Sequence, residues 1–449
     1  MSVRVFLKLF VLGGLSLALL IALAAIGGVV QERRMLQAGV EREIAESYAG
    51  EQQILGPLLI VEVEDRWLEP ERISGSQAMR EVERSEMRRV TLFPEVLEVE
   101  TAAEVEELSR GIFKARVFQS VSEIRGDFYL PGEADLLQSD GRETRFVRAN
   151  IVLGIEDIRG LSSVPRFALG GEPVSWASGT GMGLPGIHAP VDWVPGATSV
   201  KASFELDLEV HGMGALFVTP VGAENRIRLR SAWPHPSFTG NFLPSGRSVS
   251  AEGFEAEWRV NGLASNVRQQ VEGATGLARL QRLGVRFIDP ITPYPLTNRA
   301  VKYGFLFIGI TFISFFLYEI IAGLRIHPIQ YSFVGFAQAL FFLLLLGLSE
   351  HIRFGAAYAV AMAGTCGLLG VYVAAILQSR ARGITFGAGM VFLYGAMWGL
   401  LQSEDHALVA GSVLLFVLLG ALMWLTRKVD WYALTSSAQP PTRKPDLSP

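Results

Sequence analysis

Few side chains in this sequence could do chemistry, and each has a structural alternative. His235 stands between Pro234 and Pro236 in the stretch SAWPHPSFTGNFLP, an imidazole that could serve as acid, base or metal ligand. Glu350 and His351 share one short polar stretch, and Glu404, Asp405 and His406 share another; brought together they could hold a metal or pass protons. Glu319 is the acid set inside a long apolar run, the kind of residue from which ion paths are built. The plainer readings are these. His188, His211 and His235 have no partner at i+2 or i+4, so a metal site would need the fold to assemble it. Short connections between apolar runs are polar in order to stay in water. Glu319 lies within about a turn of its run's end, where it reaches the interface or pairs with Arg325. Pro234, Pro236 and Pro244 fix φ and remove backbone donors, so the histidine's stretch leaves its ladder and bends at a sheet edge. Trp233, Phe238 and Phe242 then offer aromatic area to a core or to a membrane surface.

Signatures of several enzyme classes are missing. There is no G-x-S-x-G elbow, no H-E-x-x-H, no P-loop and no G-x-G-x-x-G opening a helix. GTGMGLPG, from Gly179 to Gly186, is glycine-rich but has neither the basic residue nor the flanking helix that would hold a phosphate, and reads as a turn. The one cysteine, Cys366, lies in an apolar run, which excludes a disulfide framework and a cysteine-based metal site. A net charge of −4 gives no basic field for nucleic acid. No catalytic, cofactor or metal residues are expected.

The elements that must position these residues begin at the membrane. Half of the 449 residues are apolar and 19% are charged, too apolar for an ordinary soluble protein. LFVLGGLSLALLIALAAIGGVV, from Leu9 to Val30, has no charge over about 22 residues and is long enough to span. The basic lead of Arg4 and Lys8 and the triplet Ala22–Ala24 also suit a signal peptide, but the apolar run outlasts the usual h-region, favouring a retained anchor. After Lys302, isolated charges punctuate five apolar runs: about Tyr303 to Ala322, Tyr331 to Leu348, Phe354 to Leu377, Ile384 to Leu401 and Ala407 to Leu425. Six spans put both termini on one side. Arg4, Lys8, Arg325, Arg380, Arg382, Arg427 and Lys428 fall together if that side is the cytoplasm, leaving SEHIR and QSEDHA outside. Gly355, Ala359, Ala363 and Gly367 recur every four residues along one span, a ridge for close packing within one chain or between two copies.

Residues 31–299 then form an exported domain between an anchor (1–30) and a five-helix bundle (300–427), with a disordered cytoplasmic tail (428–449). QERRMLQAGVEREIAESYAGEQ extends the first helix outward and ends near Gly50. Beyond it the domain alternates as strands do: Phe204, Leu206, Leu208 and Val210 face one way in ASFELDLEV, as do Ile227 and Leu229, and Phe254, Ala256 and Trp258. PLLIVEVE, RRVTLFP, FKARVFQSVSEIRGDF and RFVRANIVLGI are further strands. The expectation is an all-β, antiparallel, sandwich-like domain. HGMG, from His211 to Gly214, reads as a hairpin turn, and Trp67 to Arg89, rich in Glu, Arg and Ser, as a loose insertion.

ILGPLLIVEV, SAWPHPSFTGNFLP, GFEAEWRV, LTNRAVKYGFLFIGITF, RIHPIQY, LLLLGLSEH, MWGLLQSEDHALVAGS and DWYAL resemble, in order and along nearly the whole chain, the CreD family of bacterial inner-membrane proteins, also called cell envelope integrity proteins. The resemblance implies a six-span protein with one large periplasmic β domain, expression under the Cre two-component system, and a part in envelope integrity and stress tolerance. It brings no catalytic residues and no cofactor. The expected function is therefore that of a non-enzymatic membrane protein whose exported domain contacts periplasmic or lipid components, with the bilayer as its fixed partner. The alternative is a transporter or lipid-handling protein with Glu319 and the SEHIR and SEDHA loops at the mouths of a path. A periplasmic hydrolase would require His235 or His188 to find an acid and a nucleophile in space.

Overall fold

The computed structural model describes residues 3–72, 79–137, 142–170, 172–274, 276–288, 293–321, 326–403 and 407–427. The chain divides into two compact units, Met1–Leu36 with Ile291–Pro449, and Gln37–Pro290.

The helices are α1 (Val3–Tyr48), α2 (Glu133–Leu136), α3 (Val267–Gly273), α4 (Pro293–Ile321), α5 (Pro328–Ser349), α6 (Phe354–Ile376), α7 (Arg380–Gln402) and α8 (Ala407–Thr426). Among the described residues five of them, α1 and α4 to α7, contain segments long and apolar enough to cross a membrane; α8 is a further helix without a charged residue. In the first unit α5 is central. Its buried Tyr331, Val334, Gln338, Phe341, Phe342 and Leu345 fall on one face at helical spacing. α1 touches this unit along one narrow line, Leu12, Leu19, Leu23 and Val30. Leu19 occupies the space over Gly335 of α5, where an added Cβ would meet its methyl group and the Phe312 ring.

α6 and α7 approach each other closely. A Cβ on Gly383 would fall 2.3 Å from Ala374 Cβ and 2.8 Å from Gly370 O, and Gly387 faces Gly370 across the same seam. Within this one chain the ridge Gly355, Ala359, Ala363 and Gly367 is exposed, while Phe354, Ala357, Tyr358, Ala361 and Thr365 are the buried face of α6.

The second unit consists of strands β1 (Gln52–Arg72), β2 (Met79–Leu92), β3 (Val96–Arg110), β4 (Phe113–Leu130), β5 (Glu143–Ile155), β6 (Arg166–Leu169), β7 (Glu172–Pro173) and β8 (Ala177–Ser178). They continue with β9 (Gly186–Val191), β10 (Val200–Met213), β11 (Ala215–Thr219), β12 (Glu224–Ser231), β13 (Pro236–Gly240), β14 (Gly246–Ser250), β15 (Gly253–Asn261) and β16 (Leu283–Phe287). One sheet runs β13-β16-β11-β1-β5-β9-β8 with β2 also on β1; the other runs β14-β15-β12-β3-β4-β10-β6-β7. Their apolar faces supply one common core that includes Trp258, Phe118, Phe128 and Phe204, each under 2% exposed. β1 has neighbours on both edges and is buried from Gln52 to Val63, which is why ILGPLLIVEV reads as a continuous apolar run. A register shift against β5 between Leu55 and Leu58, with Gly56 at φ +102°, lets Pro57 sit in this central strand.

Three expectations are corrected. The sheets are mixed: β1 is parallel to β11, and β3 to β12, because the chain changes sheet where an antiparallel meander would turn back. HGMG is one such change. β10 belongs to one sheet and β11 to the other, and Gly214, at φ +80°, bends the chain between them. Trp67 to Arg89 is a two-stranded ribbon in its described part, with Trp67 opposite Arg84. Its far half is exposed, so it needs no hydrophobic alternation. Charges pair across it, Arg84 with Glu69 at 3.2 Å and Arg66 with Glu83 at 3.9 Å, and the Arg142 guanidinium lies 4.1 Å from the Trp67 ring centroid.

Candidate functional site

The stretch around His235 carries the chain from β12 in one sheet to β13 at the edge of the other. The bend at the sheet edge is there, and Pro236 itself begins a strand opposite Phe287. Trp233 Nε1 donates to Ile288 O at 3.2 Å, and Trp258 Nε1 to Phe242 O at 3.1 Å. Phe238 meets Trp258 edge to face, with ring centroids 5.9 Å apart. His235 is exposed; its carbonyl accepts from Ile288 N and its ring stands edge-on to Trp233. The aromatic area serves the core between the sheets.

His211 is part of a knot that ties down the end of α1. One ring nitrogen, Nε2, lies 2.9 Å from Tyr48 O, and the other, Nδ1, 3.0 Å from Ser162 Oγ; its ring packs against Tyr48 at 4.6 Å. Gln52 Nε2 donates to the His211 and Asp157 carbonyls, both at 3.0 Å, and the Asp157 carboxylate accepts from Gly50 N at 3.0 Å. Gly160 leaves the room: a Cβ there would come within 2.1 Å of Gln52 Nε2. Gln52 and Asp157 carry no sequence signal of this role, since the fold joins them across 105 residues. His188 fastens the GTGMGLPG loop, with Nδ1 2.6 Å from Gly179 O. Glycines 179, 181, 183 and 186 of that loop all have positive φ, as a turn between β8 and β9 requires. Among the described residues no three His, Cys, Asp or Glu side chains are grouped to hold a metal.

In the helical unit, Glu350 caps α5 with its side chain 8% exposed. Arg33 Nε lies 3.4 Å from its Oε1, and the Tyr294 hydroxyl donates to the same oxygen at 3.2 Å. This joins the interior of α1 to the start of α4 and the end of α5. His351 is exposed; Glu404, Asp405 and His406 lie outside the described residues. Glu319 is buried at the other end of α4, accepting from Tyr331 Oη at 2.8 Å and from Ile326 N at 3.2 Å; Arg325, its expected partner, is outside the described residues. The two polar contacts put the start of α4 beside the end of α5, and the end of α4 beside the start of α5, an antiparallel pair.

Carboxylates of the second unit that are largely covered and paired with arginines set a pH response. Glu62, Asp65 and Asp157 are held below the ordinary carboxylate range, chiefly by hydrogen bonds from Arg148, Arg88 and Arg159. A carboxylate whose folded pKa is depressed contributes stability that is complete above the unfolded value, about 4, and is lost as pH falls through the folded one. Glu156 opposes the trend, since burial pushes its carboxyl up and its ionisation at neutral pH costs stability that acid restores. Three depressed groups outweigh one raised. The β unit's thermal midpoint, followed in the detergent-solubilised chain, is expected to fall below about pH 4, and Asp65→Asn to flatten that acid limb while lowering the neutral midpoint. A midpoint independent of pH through this window would contradict the assignment.

The model of the family described as inner membrane protein CreD matches residues 4–432. The chain is 34% identical over 437 residues to inner membrane protein CreD of Escherichia coli (strain K12), covering 96% of this chain and 94% of that protein. Among solved structures, an M1 zinc metallopeptidase from Deinococcus radiodurans covers 37% of this chain and 39% of its own at 8% identity and a TM-score of 0.21. A two-domain M1 zinc metallopeptidase has the same coverage and identity at 0.18. At these scores the likeness says nothing of fold or chemistry here.

Proposed function

This chain belongs to the CreD family of inner membrane proteins, and from that premise we propose that it supports envelope integrity and stress tolerance by binding, without catalysis. Six helices hold it in the membrane with both termini cytoplasmic, and the two-sheet unit works in the periplasm by contacting envelope protein, lipid or glycan. The observation that carries this reading is how the sheets use their chemically able side chains: His188, His211, Asp65 and Asp157 are all committed to hydrogen bonds that fasten one chain segment to another. The outer faces support it too. They carry cross-strand charge pairs such as Arg226 with Glu98 and Arg228 with Glu100, a surface suited to water and to reversible contact. The antiparallel joining of α4 and α5 and the basic residues at alternate span ends favour the orientation.

Cys366 is the one cysteine and is buried, so introduced thiols report cleanly. Leu263, 97% exposed in the β unit, and Arg427, beyond α8, are the probes. A membrane-impermeant maleimide is expected to label Leu263→Cys in intact spheroplasts and Arg427→Cys only after permeabilisation. A benzophenone maleimide at Leu263→Cys, and at Val249→Cys on the edge strand β14, is expected to yield an adduct with an envelope component. Outside labelling of both thiols would overturn the orientation. Absence of any adduct would overturn the contact reading.

A further inference from the structure

A cavity of about 510 Å³ opens between α4, α6, α7 and α8, within the roughly 300–1,000 Å³ of small-molecule sites. Its walls are apolar: Phe315 of α4, Val373 and Leu377 of α6, Phe386 and Leu393 of α7, and Leu414 of α8. Arg382 is the single charged side chain among the described residues lining it, and it stands at the start of α7 beside Thr385. Arg382, Thr385, Gly389, Leu393 and Ala396 follow one another at three- and four-residue steps, so they form one stripe with the cation at one end. From Arg382 to Ala396 the stripe is about 21 Å long at the helical rise. One leaflet is about 15 Å, half of the roughly 30 Å hydrocarbon core.

The geometry points to a binding site for one anionic glycerophospholipid, its acyl chain along the α7 stripe and its phosphate at the Arg382 guanidinium. The slot belongs to helices that face hydrocarbon, so what can reach it sideways is lipid. The slot is longer than one leaflet, so it takes a full-length tail. The single positive charge at its mouth favours an anionic headgroup over a zwitterionic one. Thr385 adds a hydroxyl at the same level, its own proton given to Ala381 O at 3.0 Å, leaving the oxygen to accept from a headgroup hydroxyl. In the orientation proposed above, Arg380 and Arg382 are cytoplasmic, so the lipid would come from the inner leaflet. That leaflet assignment rests on the proposed topology; the binding itself does not.

Gly389 provides a clean block. It lines the cavity, and a Cβ built on it meets nothing within 4 Å, so Gly389→Phe fills the slot without moving the backbone. The experiment is native mass spectrometry of the full chain in detergent, with phosphatidylglycerol and phosphatidylcholine titrated in turn and palmitate as a third ligand. Wild type is expected to retain one phosphatidylglycerol in preference to phosphatidylcholine by roughly fivefold, the factor one basic side chain contributes at an anionic surface. Arg382→Gln should abolish the preference while keeping a bound lipid, and Gly389→Phe should lose the lipid with an unchanged thermal midpoint. Equal retention of the two phospholipids by wild type, or full retention by Gly389→Phe, would overturn the site. Palmitate competing as well as phosphatidylglycerol would overturn the phospholipid assignment. A failed spheroplast labelling test would reverse the leaflet and leave these outcomes standing, so the two readings fail separately.

Discussion

Trp258→Ala is expected to destabilise the β unit by about 3–5 kcal/mol, the range for removing a buried large aromatic side chain. Trp258 is 0% exposed at the middle of β15, and its indole does two jobs. It fills the core between the sheets, and its Nε1 donates to Phe242 O in the segment that follows β13. Alanine would remove the packing and leave the Phe242 carbonyl without that donor, so the cavity and hydrogen-bond penalties fall on one residue. A domain with a total stability of roughly 5–15 kcal/mol has little left after such a loss. Limited proteolysis of the membrane-bound chain reads it: the β unit should be digested at temperatures where the wild type resists, while the helical unit survives as a protected fragment. Trp258→Phe keeps most of the volume and should fall between the two. Resistance equal to wild type for the alanine variant would mean that the two sheets do not depend on this contact.

The parts of this fold that were legible in sequence are those where one face of a strand is buried. ASFELDLEV and GFEAEWRV alternate because Phe204, Leu206 and Leu208, and Phe254, Ala256 and Trp258, enter the core. The β1–β2 ribbon reads as a loop because alternation is a record of burial, and beyond Leu68 both faces meet water. HGMG reads as a hairpin because glycine at positive φ serves a turn and a change of sheet equally well; what separates them is the partner of the next strand, a long-range fact. The candidate site was less legible for the same reason. His211 showed no partner because its partners, Tyr48 and Ser162, are backbone or hydroxyl oxygens distant in sequence. Glu350 sat in a polar stretch that looked solvated, yet Arg33 and Tyr294 reach it from two other helices. The exposed stripe of α6 has the four-residue spacing of a packing ridge, but spacing on one helix does not say which face another helix meets.

The face that is met predicts the second large effect. Gly383→Leu is expected to part α6 from α7, because the new Cβ would lie 2.3 Å from Ala374 Cβ, with the Ala374 Cα at 2.7 Å and the Gly370 carbonyl oxygen at 2.8 Å. None of these atoms belongs to a flexible side chain, so no rotamer change relieves the overlap and the helices themselves must separate. Overpacking of this kind costs about 3 kcal/mol or more when the backbone has to move. In lipid the loss is not offset by a hydrophobic drive to reassociate, since helices there are held by contact alone. The aromatic cluster along the same pair would loosen with it: the Tyr358 hydroxyl donates to Tyr394 O at 2.5 Å across the α6–α7 interface, and Phe354 stacks on Trp398. The solubilised variant should show a lowered melting midpoint and newly reactive Cys366, which is buried on this helix. Gly367→Leu, on the exposed stripe where an added Cβ meets nothing within 4 Å, is the internal control and should change neither readout by a comparable amount. Equal damage from the two substitutions would mean that the exposed ridge is also packed in the membrane, against a second copy of the chain.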